Sequence, residues 1–157
     1  MDKDLLRYRR QFLLSRIAIA SFSNWNRLSL AKGYVLYSHP DLEITFKEKS
    51  GVGIALLGYL FDPVDPKKGD AEILDDLLEA SETFEAFVEA IKGYAGRYVF
   101  IYVNRDGLQV MHDPLGLREV YYCASVNRII CGSQPKLIKE YADPEIGVTT
   151  DPSIHDF

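Results

Sequence analysis

The chain has 157 residues, 47% of them hydrophobic and 26% charged, which suits one domain with a real core and excludes a disordered chain. A formal net charge of −5 argues against general affinity for nucleic-acid backbones. No run approaches the roughly 20 apolar residues of a membrane-spanning helix.

The opening Met1-Asp2-Lys3-Asp4 carries acid where a signal peptide needs positive charge, so a cytoplasmic location is expected. Residues 1–10 have a short helical look, and Arg7, Arg9, Arg10 and Arg16 form a basic cluster that reads as a solvated face. Phe12 to Ile19 fits either a helix or a buried strand, because so short an apolar run does not separate the two periods. A loop with Ser23, Asn24 and Asn26 follows, then a strand over Gly33–Ser38 ended by His39-Pro40-Asp41. Leu42 to Lys47 alternates with period two, the pattern of a half-buried strand, and Ser50-Gly51 turns it back. Val52 to Phe61 is almost wholly apolar and predicts a strand covered on both faces.

Asp62-Pro-Val-Asp-Pro-Lys-Lys-Gly-Asp70 breaks the pattern, and its carboxylates Asp62, Asp65 and Asp70 read as a solvated acidic loop rather than a cation site. Two helices come next. Ile73, Leu74, Leu77 and Leu78 share one face of the first; Ser81 or Thr83 caps the second, which carries Phe84, Phe87, Val88 and Ile91 and stops at Gly93 or Gly96. Strands are predicted over Arg97–Val103 and Leu108–His112, joined by Asn104-Arg-Asp-Gly107, whose Gly107 is able to take positive φ. Further strands are predicted over Arg118–Cys123 and Arg128–Cys131, and a short helix over Pro135–Tyr141. Of the ten tyrosines, Tyr98, Tyr102, Tyr121 and Tyr122 fall on predicted strands, and most are expected in the core or half-buried. Cys123 and Cys131 flank the last hairpin; a bridge is conceivable there, but two buried thiols fit a reducing compartment better. Residues 1–142 are thus read as one α+β domain of antiparallel sheets with helices packed outside them, and 143–157 as a tail or linker.

His39, His112 and His155 lack ligand spacing, and no Gly-rich phosphate loop occurs, so neither a metal nor a cofactor is expected. His112 and Asp113 read as a hydrogen-bonded structural pair. In Asp113-Pro114-Leu115-Gly116, Pro114 fixes φ, Gly116 permits a conformation closed to other residues, and Asp113 can hold its own downstream amides.

Several segments occur in one order: Leu57-Gly58-Tyr59-Leu60-Phe61, Gly69-Asp70-Ala71-Glu72-Ile73-Leu74, Gly96-Arg97-Tyr98-Val99-Phe100, Asp113-Pro-Leu-Gly-Leu-Arg118-Glu-Val-Tyr-Tyr122 and Cys131-Gly132-Ser133-Gln134. From about Val52 to Ile138 this set resembles the class II glutamine amidotransferase domain that opens asparagine synthetases. The resemblance implies a four-layer αββα sandwich of the Ntn-hydrolase type. It also implies a substrate-binding role for Gly58 and Asp70, and a structural role for Asp113, Gly116 and Arg118. By its own chemistry Asp70 also suits a helix start, where the dipole favours negative charge.

The chemistry of that family is missing from the residues. Its nucleophile is a Cys exposed as the first residue after Met removal, with its own α-amino group as base; here position 2 is Asp2. Its oxyanion hole uses an Asn amide and a Gly N–H; at the matching positions stand Leu57, Gly58 and Tyr59, leaving the backbone donor alone. The ATP-binding motif of the family's second domain is absent as well. The resemblance therefore implies a non-catalytic glutaminase-like domain, a structural or docking partner for an ATP-pyrophosphatase-type synthetase domain or subunit, or a homodimer. No nucleic acid and no membrane is expected among its partners. The β-lactam synthetase branch keeps its amino-terminal domain for architecture in the same way. Two alternatives stay open: an active glutamine-hydrolysing enzyme whose nucleophile (Ser15, Ser21 or Ser23) is unmasked by processing, and an amino-acid sensor using a vestigial pocket at Gly58 and Asp70.

Overall fold

The computed structural model describes residues 7–16, 19, 22, 24–125 and 128–141. Strands β1 (Phe12–Ser15), β2 (Asn26–Ser29) and β3 (Val35–Ser38) are followed by β4 (Ile44–Lys49), β5 (Val52–Phe61), helices α1 (Asp70–Ala80) and α2 (Phe84–Ile91), then β6 (Ala95–Val103), β7 (Leu108–His112), β8 (Tyr121–Ser125), β9 (Arg128–Gly132) and helix α3 (Pro135–Tyr141). Two sheets result, in the orders β2-β3-β1-β9-β8 and β4-β5-β6-β7. Every recorded strand pair is antiparallel. The fold is α+β.

Side-chain alternation builds the layers. Along β5, Ile54, Leu56 and Leu60 point to one face and Ala55 and Leu57 to the other; along β6, Tyr98, Phe100 and Tyr102 alternate with Val99, Ile101 and Val103. The first set meets Ile73, Leu74, Leu77 and Leu78 of α1 and Phe87 and Ile91 of α2. The second set meets Phe12, Leu14, Leu36 and Cys131 of the other sheet. That sheet's outer face, with Leu13, Val35, Tyr37 and Ile130, is covered by Tyr8, Phe22, Trp25 and by Leu137 and Ile138 of α3. Each of these larger apolar side chains gains about 1.5–3 kcal/mol on leaving water. Both sheets are thus covered on both faces, which explains the unbroken apolar run of β5.

Local chemistry fixes the helix ends. Glu72 accepts the Gly69 N–H at 2.9 Å ahead of α1, and Thr83 Oγ1 accepts the Ala86 N–H at 3.2 Å at the start of α2. α2 stops at Ile91, with Lys92 and Gly93 in the turn that follows.

Several expectations are corrected. Asn26 opens an edge strand, β2, instead of lying in a loop. The strand expected from Arg118 begins at Tyr121, because Asp113 holds the preceding residues in a turn. Gly107 is not among the residues with positive φ; the β6–β7 turn is made by Asn104, whose Oδ1 accepts the Asp106 and Gly107 N–H groups. Asp62 is buried, accepting the N–H groups of Val64 and Asp65, so its loop is not simply solvated. Cys131 is buried but Cys123 only partly so. Tyr122 pairs with Cys131 and Cys123 with Ile130, so the two thiols lie on opposite faces of the sheet and no bridge can form within this register. The expected tail, residues 143–157, lies outside the described residues.

Candidate functional site

The residues singled out by sequence converge at the end of the second sheet where β5 leaves and β6 begins. Gly58 sits near the end of β5 with φ +117°. A Cβ built there would lie 2.2 Å from the Arg97 carbonyl oxygen across the strand pair, so no other residue fits. The Gly58 N–H donates to the Glu43 carbonyl at 3.1 Å. This corrects the expectation that the backbone donor stays available to an oxyanion. Leu57 is fully buried between the sheets.

Asp70 is the first residue of α1, and its Oδ1 accepts the Leu60 N–H at 2.7 Å. Burial pushes its carboxyl above the ordinary range, against the pull of the Leu60 hydrogen bond, and the Glu43 charge adds to the upward shift. Asp70 therefore fastens the start of α1 to the end of β5.

Asp113 is 1% exposed. Its Oδ1 accepts the N–H groups of Leu115 (3.2 Å) and Leu117 (3.0 Å), and its Oδ2 that of Arg118 (3.2 Å). Gly116, at φ +62°, closes the turn by donating to the Asp113 carbonyl at 2.9 Å. Burial alone would raise the Asp113 carboxyl, but backbone hydrogen bonding from Leu117, Arg118, Tyr98 and Leu115 outweighs it and holds it below the ordinary range. The Asp113 N–H in turn donates to the Tyr98 carbonyl at 3.0 Å, tying the turn to β6. His112 Nδ1 lies 2.7 Å from the Asp113 carbonyl oxygen, a structural contact.

This turn delivers Arg118 to Gly58. The Arg118 Nε lies 3.3 Å from where a Gly58 Cβ would stand, and it is buried without a hydrogen-bond partner. Burial disfavours its charged form, as do the charges of Arg97 and Arg10, while Asp113 opposes them. Gly58, Asp113, Gly116 and Arg118 thus form one cluster, with Asp70 beside it at the end of β5. Sequence reasoning missed Arg97 and Arg10. The register puts Arg97 opposite Tyr59, which only the strand pairing reveals, and Arg10 was noticed only as part of a basic cluster.

Several large apolar side chains near the same end are exposed. Leu115 is 81% exposed, Tyr122 67% and Tyr59 54%, with Phe61, Leu117 and Tyr121 also exposed. Of the four strand tyrosines, Tyr98 and Tyr102 are buried, while Tyr121 and Tyr122, which open the edge strand β8, are exposed. Ser15 is fully buried at the end of β1, paired with Val35. Ser21, Ser23 and His155 lie outside the described residues. A polar cleft of about 560 Å³ lies at the opposite end, lined by Lys49, Glu79, Thr83, Asn104 and Asp106, and contains none of the residues above.

Among the described residues no group of three or more His, Cys, Asp and Glu side chains could hold a metal ion, and no helix is long and apolar enough to cross a membrane. No protein-family model matches the chain, and no curated protein matches it.

Proposed function

We propose that this chain is a glutaminase-like domain of the asparagine synthetase type, with an Ntn-hydrolase-like αββα sandwich, that has lost catalysis and serves as a docking module. Its partner on this reading is an ATP-pyrophosphatase-type, amide-forming synthetase domain or subunit. The observation that carries the reading is the exposure of Tyr59 and Phe61 at the end of β5, of Leu115 and Leu117 in the turn after β7, and of Tyr121 and Tyr122 at the start of β8. Large aromatic and aliphatic side chains left exposed at one end of a fold mark interaction surfaces rather than reactive centres. The loss of catalysis is supported by Leu57 buried where an amide donor would be needed, and by the Gly58 N–H already bound to the Glu43 carbonyl.

Two measurements on the purified protein test the reading. Ammonia release from glutamine is expected at the blank rate, and turnover well above blank would overturn the loss of catalysis. Co-purification with an amide-forming synthetase domain is expected to be lost in a Tyr59→Ser, Leu115→Ser double variant that keeps the wild-type thermal midpoint. Undiminished co-purification by that variant would remove these side chains from the argument.

A further inference from the structure

Two open sheets have four edges, and three of these edges are guarded. β4 carries Lys47, Glu48 and Lys49; α1 packs against it, with Lys47 paired to Asp75 and Lys49 to Glu79. β2 is the polar, mostly exposed Asn26-Arg-Leu-Ser29, and β8 has α3 lying against it. Charges and covering elements of this sort keep an edge from pairing with another chain. β7 is the fourth edge, hydrogen-bonded to β6 alone. Its sequence, Leu108-Gln-Val-Met-His112, has no Lys, Arg, acid or Pro, and its register to β6 runs without a bulge.

The ladder shows which backbone groups of β7 face outward. Antiparallel strands exchange their hydrogen bonds between directly opposite residues at every second position. The Asp113 N–H donates to the Tyr98 carbonyl and the Asn104 N–H to the Gly107 carbonyl, both at 3.0 Å. These bonds bracket the β6–β7 ladder and place Gln109 and Met111 at its bonded positions, opposite Tyr102 and Phe100. Leu108, Val110 and His112 therefore turn their N–H and C=O groups away from β6. Among the described residues those six groups have no recorded hydrogen-bond partner.

We propose that β7 is a self-pairing edge, which joins antiparallel to β7 of a second copy of this chain about a two-fold axis at Val110. In that register Val110 meets its own counterpart and Leu108 meets the partner's His112, so all six outward groups are satisfied together. Symmetry and charge favour a second copy as the occupant. The outward residues are symmetric about Val110, and a strand without Lys, Arg or acid sets no like charges opposite each other, although each copy carries a net −5. The flanks match as well. Leu108 and Val110 are half-buried on the inter-sheet side and Met111 on the helix side, and a two-fold axis through the strand pair brings each side of one copy against the same side of the other. This edge is argued independently of the docking reading, and either can fail without the other.

A single strand pair buries less than the roughly 1,200 Å² of a stable complex, so the association is weak and is read at about 0.5 mM. The test follows hydrogen exchange residue by residue in the full chain, from dilute solution up to that concentration. The Tyr59→Ser, Leu115→Ser variant is measured in parallel, which removes association through those side chains from the reading. In both proteins the amides of Leu108, Val110 and His112 should exchange freely when dilute and become protected together as concentration rises. Those of Gln109 and Met111 should stay protected throughout. Val110→Pro removes an outward donor and no bond to β6, so it should weaken self-association roughly tenfold or more in a folded chain. Gln109→Lys, which sets a charge on the edge without touching the backbone, gives a second reading should Val110→Pro fold poorly. Exchange at Leu108, Val110 and His112 that does not change with concentration, or undiminished self-association in either folded variant, would overturn the proposal.

Discussion

Two residues at the end of the second sheet set sharp expectations. Gly58 combines φ +117° with a would-be Cβ only 2.2 Å from backbone oxygen, so neither a rotamer change nor a side-chain shift can absorb an added methyl. Gly58→Ala should lower the unfolding free energy by roughly 2–3 kcal/mol in urea titration, through strain at a left-handed position and a displaced strand pair. Asp113 acts through charge. Its folded-state pKa lies below the unfolded one, so its contribution is present at neutral pH and is lost as pH falls through the depressed value, below about 3.9. Unfolding free energy measured against pH should therefore fall less steeply on the acid side in Asp113→Asn than in wild type, and equal slopes would reject this assignment. Asp113 and Gly116 were legible because Asp-Pro-x-Gly encodes its turn within one short segment. Arg97 was not, because its meaning comes from Tyr59 across the β5–β6 pair and from Arg118 some 20 positions along the chain.

At the scale of elements, Asp70 separates two explanations of one position. An acid that fixes α1 to β5 needs an oxygen acceptor for the Leu60 N–H, whereas an acid that holds a substrate ammonium needs a negative charge. Asp70→Asn keeps the acceptor and removes the repulsion from Glu43, so it should change stability by less than about 0.5 kcal/mol. Asp70→Ala strands the Leu60 N–H and should cost about 1–2 kcal/mol. Equal losses in the two variants would point to the charge instead. Elements such as β5 and α1 were readable because the first is an unbroken apolar run covered on both faces and the second buries one full apolar face. β2 was not: Asn26-Arg-Leu-Ser29 is polar and mostly exposed at the sheet edge, held by its pairing to β3 rather than by its own pattern. β1 stayed ambiguous because four residues carry too few periods. It sits between β3 and β9, and only partners distant in sequence make it a strand.

For the whole molecule, the question is what the exposed apolar side chains do in the free chain. A monomer that exposes Leu115, Tyr122 and Tyr59 together gains nothing in stability from them, because each keeps at least half of its surface in water. Their replacement should therefore separate folding from association. A Tyr59→Ser, Leu115→Ser, Tyr122→Ser variant should unfold within about 0.5 kcal/mol of wild type, since exposed substitutions away from caps and hydrogen bonds change little. It should also sediment as a monomer at concentrations where wild type self-associates, because exposed apolar side chains of this kind find one another when left uncovered. Sedimentation velocity with parallel urea titration reads both quantities on one preparation. A large loss of stability would place these side chains in the core of the free chain, contrary to their exposure. Unchanged sedimentation alongside wild-type self-association would move the interface to another face, with the edge strands β2, β4 and β7 next to be examined.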